Sequence, residues 1–276
     1  MSEKVPISPI GAHRQSTIDT TSTEAAIPPE TGDVGGLLVE RLRAWKHAVG
    51  YLEAYIEQTE SVHKHLSKEY SKVLKTVDEP LKEGHHFNQS VGGVASFFEN
   101  LRANTARLSQ SHTETAGELK STVLPILERL HKEIKDRQSH VAKECEKSAK
   151  TVAKSRNNTQ QQIELLAQHS SAYESVGGAS AGEHHHHHLR LHHTNTGGKM
   201  KPENDPYLLR KGVLNRLARQ VNDENAQRNE LLGVQNHSQQ FETHIVQTVQ
   251  AALTAFHQTM GAQADTQKNL YGDILG

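Results

Sequence analysis

The 276 residues include one cysteine, Cys145, and only 4% aromatic side chains. A lone cysteine excludes an intramolecular disulfide and a multi-cysteine zinc site, and this one lies among Lys143, Glu144, Glu146 and Lys147, as an incidental reduced thiol does. No apolar run approaches the roughly 20 residues that a bilayer span takes, and the N-terminus lacks the hydrophobic stretch of a signal peptide. The chain therefore reads as cytosolic. With 34% hydrophobic residues there is too little apolar material for two thick cores, although a thin bundle needs less. Charge of one sign is also missing in excess. Lys and Arg number 31 against 32 Asp and Glu, so any attraction to an anionic partner has to come from local segregation. A Gly-rich phosphate loop, a Ser/His/Asp pattern and a strand-borne carboxylate pair are all absent. The chain reads as a non-enzyme without a cofactor.

What is present is helical periodicity. From Leu38 the positions Leu42, Trp45, Val49, Leu52, Ile56, Thr59, His63, Leu66, Tyr70, Val73 and Val77 alternate steps of four and three, a heptad register over one long helix. His63 in this seam reads as a tolerated core histidine. Pro80 and Gly84 turn the chain back. A second helical stretch carries Val94, Phe97, Phe98, Leu101, Leu108, Leu119, Val123, Ile126, Leu127, Leu130 and Ile134, with a bend expected at Pro125. Beyond Ile134 the inward positions turn small or polar: Val141, Cys145, Ser148, Val152, Ser155, Thr159, Ile163, Leu166. Such a stripe supports only a narrow arm, and its partner is the first half of the last helix, with Leu208, Leu209, Val213, Leu217, Val221, Leu231, Val234, Phe241 and Ile245.

The expected organisation is a disordered arm over 1–36 and an all-α domain over 37–276. Its helices run over about 37–78, 90–174 and 206–275, with a His-rich loop at 175–205. The second rod alone, at about 1.5 Å per residue, would run roughly 125 Å. The fold class is an elongated antiparallel helical coiled-coil bundle, a three-helix body with a two-helix arm. Trp45, Tyr55, Phe97, Phe98, Phe256 and Met260 exceed what one slender bundle needs, which points to core and homodimer contacts through the body.

Charge is segregated along these rods. Lys147, Lys150, Lys154 and Arg156 fall in a stretch without acids from Lys147 to Ile163, and Arg210, Lys211, Arg216 and Arg219 in another from Tyr207 to Arg219. On the first helix Lys64, Lys68 and Lys72 recur every fourth residue. Grouped cations on paired rods suit anionic lipid headgroups, at about 1 kcal/mol per Lys or Arg near a charged bilayer. Nucleic acid is the weaker fit, because no aromatic residues alternate with the cations. His184, His185, His186, His187 and His188 form a run that can bind transition metals, but flanking glycines offer it no fixed geometry. It reads as a low-complexity loop or an insertion.

The segments LLVERLRAWKHAVGYLEAYIEQTESVHKHLSKEYSKV, GGVASFFENLRANTARL, VLPILERLHKEIK and GAQADTQKNLYGDILG resemble fungal BAR-like (F-BAR-like) proteins of the Slm and glycerol-channel-regulator type, in which such a region precedes a pleckstrin-homology domain. The resemblance implies a crescent-shaped homodimer, peripheral at the cytosolic face of the plasma membrane, that binds phosphoinositides and works with signalling proteins in stress or target-of-rapamycin pathways. No pleckstrin-homology domain follows Leu275, as in an excised domain. A coiled-coil scaffold that holds protein partners without touching lipid is the alternative reading.

Overall fold

The computed structural model describes residues 34–79, 81, 86–88, 90–177 and 201–274. Residues 1–33 of the arm expected over 1–36 and the histidine run at 184–188 lie outside the described residues. Four α-helices carry the described chain: α1 (Val34–Lys75), α2 (Val94–Glu118), α3 (Leu124–Gly177) and α4 (Pro206–Asp273). A π-helical turn, Leu119–Val123, joins α2 to α3 without a break in the rod.

Cross-helix bonds fix the directions. His63 meets His112 and Ser71 meets Ser109, so α1 runs antiparallel to α2. Glu53 meets His131 and Gly35 lies against Cys145, which continues the same pairing onto α3. Ser155 donates to Asp223, His244 meets Glu133 and Asn104 meets Leu270, so α4 runs antiparallel to the α2–α3 rod along its whole length. Arg41 pairs with Glu242 while Tyr55 packs edge-on to Phe256, so α1 and α4 are parallel. Because α1 ends its pairing near Cys145, the bundle has three helices on one side of that residue. Past it only α3 and α4 remain, as the sequence implied.

The core follows from the heptad. Leu42, Val49, Ile56 and His63, each seven residues on, are buried, while the alternate positions Leu38, Trp45, Leu52, Thr59, Leu66 and Tyr70 are half-buried. They close on Leu119, Val123, Leu124, Leu127, Leu130, Ile134 and Val141 from the long rod and on Val234, Phe241, Ile245 and Ala252 from α4.

Three features differ from the periodic expectation. α1 starts at Val34, inside the stretch read as a flexible arm. Gly35 is a packing residue here, since a Cβ on it would stand 2.7 Å from the Cys145 sulfur. Next to Pro125, where a bend is expected, the rod holds a π turn in which the Leu124 N–H bonds the Leu119 carbonyl five residues back. Proline brings no N–H to the carbonyl four residues behind it, and a widened turn at that point absorbs the loss. The sequence also places Val94 and Phe97 on the core stripe, yet they stand 45% and 43% exposed. At this end of α2 the nearest cover, α1, has already ended at Lys75.

Both ends of α4 are capped by specific chemistry. Asp205 accepts the Tyr207 N–H at 2.9 Å with Pro206 at the first helical position. At the other end buried Asn104 donates to the Leu270 carbonyl at 3.2 Å, in the last turn of the helix. Asn104→Ala removes that donor, and the expected cost is about 1 kcal/mol, felt as faster amide exchange in the last turn of α4 alone. Equal exchange in mutant and wild type would show the cap to be idle.

Candidate functional site

The predicted basic positions all sit on helix surfaces, and all are exposed. What separates them is pairing. On α1, Lys64 is held by Glu60 at 2.7 Å and Lys72 by Glu69 at 2.8 Å, while Lys68 has no ion pair among the described residues. On α3, Lys150 is held by Glu146 at 2.8 Å and Arg156 by Glu224 of α4 at 2.6 Å, while Lys147 and Lys154 have no ion pair among the described residues. The hydrogen bond from Arg156 holds the Glu224 carboxyl below its ordinary range, and that from Lys72 does the same to Glu69. On α4, none of Arg210, Lys211, Arg216 and Arg219 has a carboxylate partner among the described residues. Four free cations within ten residues make this the strongest uncompensated charge on the arm.

Their surroundings are of two kinds. Arg216 and Arg219 border a groove of about 300 Å³ between α3 and α4, lined also by Ser155, Asn158, Gly212 and Asn215. Amide and guanidinium donors border it, while the Ser155 hydroxyl is given to Asp223. On the other side, Arg210, Leu214, Leu217 and Val221 follow at spacings of four, three and four, and so share one face of α4. Leu208, Leu214, Leu217 and Val221 are each more than two-fifths exposed. Sequence periodicity assigns Leu208, Leu217 and Val221 to the arm seam, and the structure corrects this. Of the expected seam, Leu209 of α4 and Val152, Ser155 and Thr159 of α3 are the residues that are buried. The Ser155 hydroxyl bonds to Asp223, and this polar contact turns Leu217 and Val221 outward. Leu214 was not legible as a surface residue, because only the pairing of the two helices decides which side of α4 is covered.

Lys64, Lys68 and Lys72 do not join this group. They lie opposite α2 near Ser109 and His112, whereas the arm cations start at Lys147, about 35 residues or roughly 50 Å further along the rod. Of the aromatic set, Trp45, Phe98, Phe256 and Met260 are half-buried, with Trp45, Phe256 and Met260 packed on the core. Tyr55 is 63% exposed, and its neighbour on the same helix, Tyr51, 75%. No cluster of three or more metal-ligating side chains occurs among the described residues, and no described helix is long and apolar enough to cross a membrane.

Paired shafts of this construction define a class of protein by fold. Two solved structures share it: the F-BAR domain of Hof1p, with a TM-score of 0.60 at 8% identity over 87% of this chain and 85% of that one, and the F-BAR domain of Imp2, with 0.63 at 13% identity over 87% and 76%. Residues 91–275 match the model of the BAR-like domain, and the chain belongs to that family. It is similar to the cytoskeletal signaling protein slm1 of Schizosaccharomyces pombe, 28% identical over 235 residues. That match takes in 84% of this chain and 43% of the relative, so the chain spans less than half of that protein. The resemblance to fungal Slm-type BAR-like proteins, read from the helix surfaces, is borne out.

Proposed function

We propose that this domain dimerises through its three-helix body and binds anionic, phosphoinositide-containing membrane through the unpaired cations of its arm, as the lipid-facing part of a signalling scaffold at the plasma membrane. The observation that carries the reading is the α4 segment from Leu208 to Val221, where Arg210, Lys211, Arg216 and Arg219 lack carboxylate partners among the described residues and alternate with exposed leucines. Free cations attract a phosphate layer, and apolar side chains among them enter the headgroup boundary, a combination that a merely solvated helix has no use for. Lys147 and Lys154 add charge from α3. The paired cations Lys64, Lys72, Lys150 and Arg156 contribute less, each already neutralised by a neighbour, with Lys68 as an outlying contact. Exposed Tyr51 and Tyr55 on the body offer apolar surface for a second copy. Membership in the BAR-like family supports the dimeric, membrane-associated reading, and similarity to a cytoskeletal signaling protein supports the scaffold role in stress or target-of-rapamycin signalling.

Co-sedimentation with liposomes tests it. Binding is expected to rise with phosphoinositide content and to fall steeply as salt goes from about 0.1 to about 0.5 M, as the screening length shortens. Absence of binding to any anionic vesicle, with protein partners still captured, would leave the lipid-free coiled-coil scaffold as the function.

A further inference from the structure

Beyond the apolar core, where α1, α2 and α4 meet, the interior turns polar. His63 of α1 and His112 of α2 are 5% and 2% exposed, and their Nδ1 atoms are 2.8 Å apart. The Tyr70 ring lies parallel to that of His112, 5.3 Å between centroids, and the Gln263 amide of α4 reaches within 3.4 Å of the same imidazole. Two ring nitrogens at that distance share one proton. One Nδ1 carries hydrogen and donates, and the other must offer a lone pair, so at least one imidazole is neutral. When both rings are protonated, two N–H groups face each other with like charge and the contact is lost.

No counter-charge is at hand. On α1 the nearest carboxylate, Glu60, is bonded to Lys64, and on α2 the nearest charges, Arg107 and Glu114, are exposed. On α4 the nearest, Asp265 and Lys268, are exposed, while Gln263 and Gln267 face inward or along the seam and Tyr271 bonds Tyr70. Among the described residues no carboxylate stands within ion-pair distance of either imidazole. Burial lowers the pKa of both histidines, and His63 lowers that of His112 further. A folded-state pKa below the unfolded one means that the contact is whole above about pH 6.5 and weakens as pH falls below it.

The segment of α1 that follows has little else to hold it. Between His63 and Lys75 no apolar residue is fully buried, and the contacts to α2 are hydroxyl bonds, from Ser67 to Thr113 at 2.6 Å and from Ser71 to Ser109 at 3.0 Å. We infer that His63 and His112 form a pH-sensitive clasp that pins the C-terminal third of α1 to α2 and α4 when neutral and frees it on protonation. The freed segment carries Lys64, Lys68 and Lys72, so acidification loosens the body's own basic row. The effect is confined to this polar end of the body, so a residue-level probe is the one that reads it.

Amide hydrogen exchange on the full chain, corrected for intrinsic rates, reads it directly. Between pH 7.5 and 5.5, residues 63–75 and 104–115 are expected to lose about tenfold in protection, one proton's worth over one pH unit, while 124–141 keep theirs. In the double variant His63→Asn, His112→Asn, whose amides keep a hydrogen bond at the Nδ1 positions without titrating, protection is expected to be the same at both pH values. Unchanged protection in the wild type, or an undiminished pH response in the variant, overturns the clasp. Exchange of the imidazole C2 hydrogens in the wild type needs no variant, and titration of both rings at the ordinary histidine pKa would overturn it equally.

Discussion

Leu127→Ala is expected to destabilise the domain by about 3 kcal/mol and to lower its midpoint of thermal unfolding by about 9 °C. Leu127 is fully buried, directly after the π turn, in the cluster that gathers Ile56 from α1, Leu130 and Ile134 from its own helix and Ile245 from α4. Truncation removes three carbons from contact and leaves a cavity. Its walls belong to long helices anchored on either side of the gap, so they cannot close on it, which sets the cost in the middle of the range for such substitutions rather than at its foot. Leu232→Ala supplies the contrast. That side chain is 55% exposed on α4, and its loss is expected to stay within about 0.5 kcal/mol. Chemical denaturation with both variants checks the pair. A loss below about 1 kcal/mol at Leu127 would mean that the three-helix body is held by something other than this cluster.

The same cluster shows how far sequence carries. The heptad on α1 was legible because one position in seven meets two other helices at once. Leu42, Val49, Ile56 and His63 are buried for that reason, and the intermediate positions, at the edge of the seam, are only half-covered. In the arm each helix has a single neighbour, and periodicity holds on α3, where Val152, Ser155 and Thr159 are buried as expected, but fails on α4. Ser155 and Thr159 are buried where Leu217 and Val221 are not, since a hydroxyl bonded to Asp223 or to the helix backbone costs little to bury and lets the shafts approach. Gly35 was misread for a related cause. Composition cannot distinguish a glycine that loosens a tail from one that makes room for Cys145. The cations were all visible as cations, but whether each was free depended on neighbours across the seam, as with Arg156 and Glu224. His112 carried no sequence signal of its own. Only the antiparallel register of α1 and α2 puts it beside His63.

Replacing Arg210, Lys211, Arg216 and Arg219 together by Gln is expected to weaken binding to phosphoinositide vesicles about a thousandfold and to flatten its salt dependence. Four cations near an anionic surface contribute about 1 kcal/mol each, and every 1.4 kcal/mol is a factor of ten. Because all four are exposed and none is bonded to a carboxylate among the described residues, their loss strands no buried charge, and the fold should melt as before. Leu214→Ser with Leu217→Ser asks a separate question of the same helix. If these leucines enter the headgroup boundary, affinity falls while the slope against salt stays that of the wild type, since the phosphate contacts are untouched. The two variants thus divide the interaction into a part that salt screens and a part that it does not. Full vesicle binding by the four-Gln variant, at low and high salt alike, would remove the arm from the membrane contact. The exposed leucines of α4 would then be read as a seat for another protein chain, and the lipid surface would have to be sought on the body.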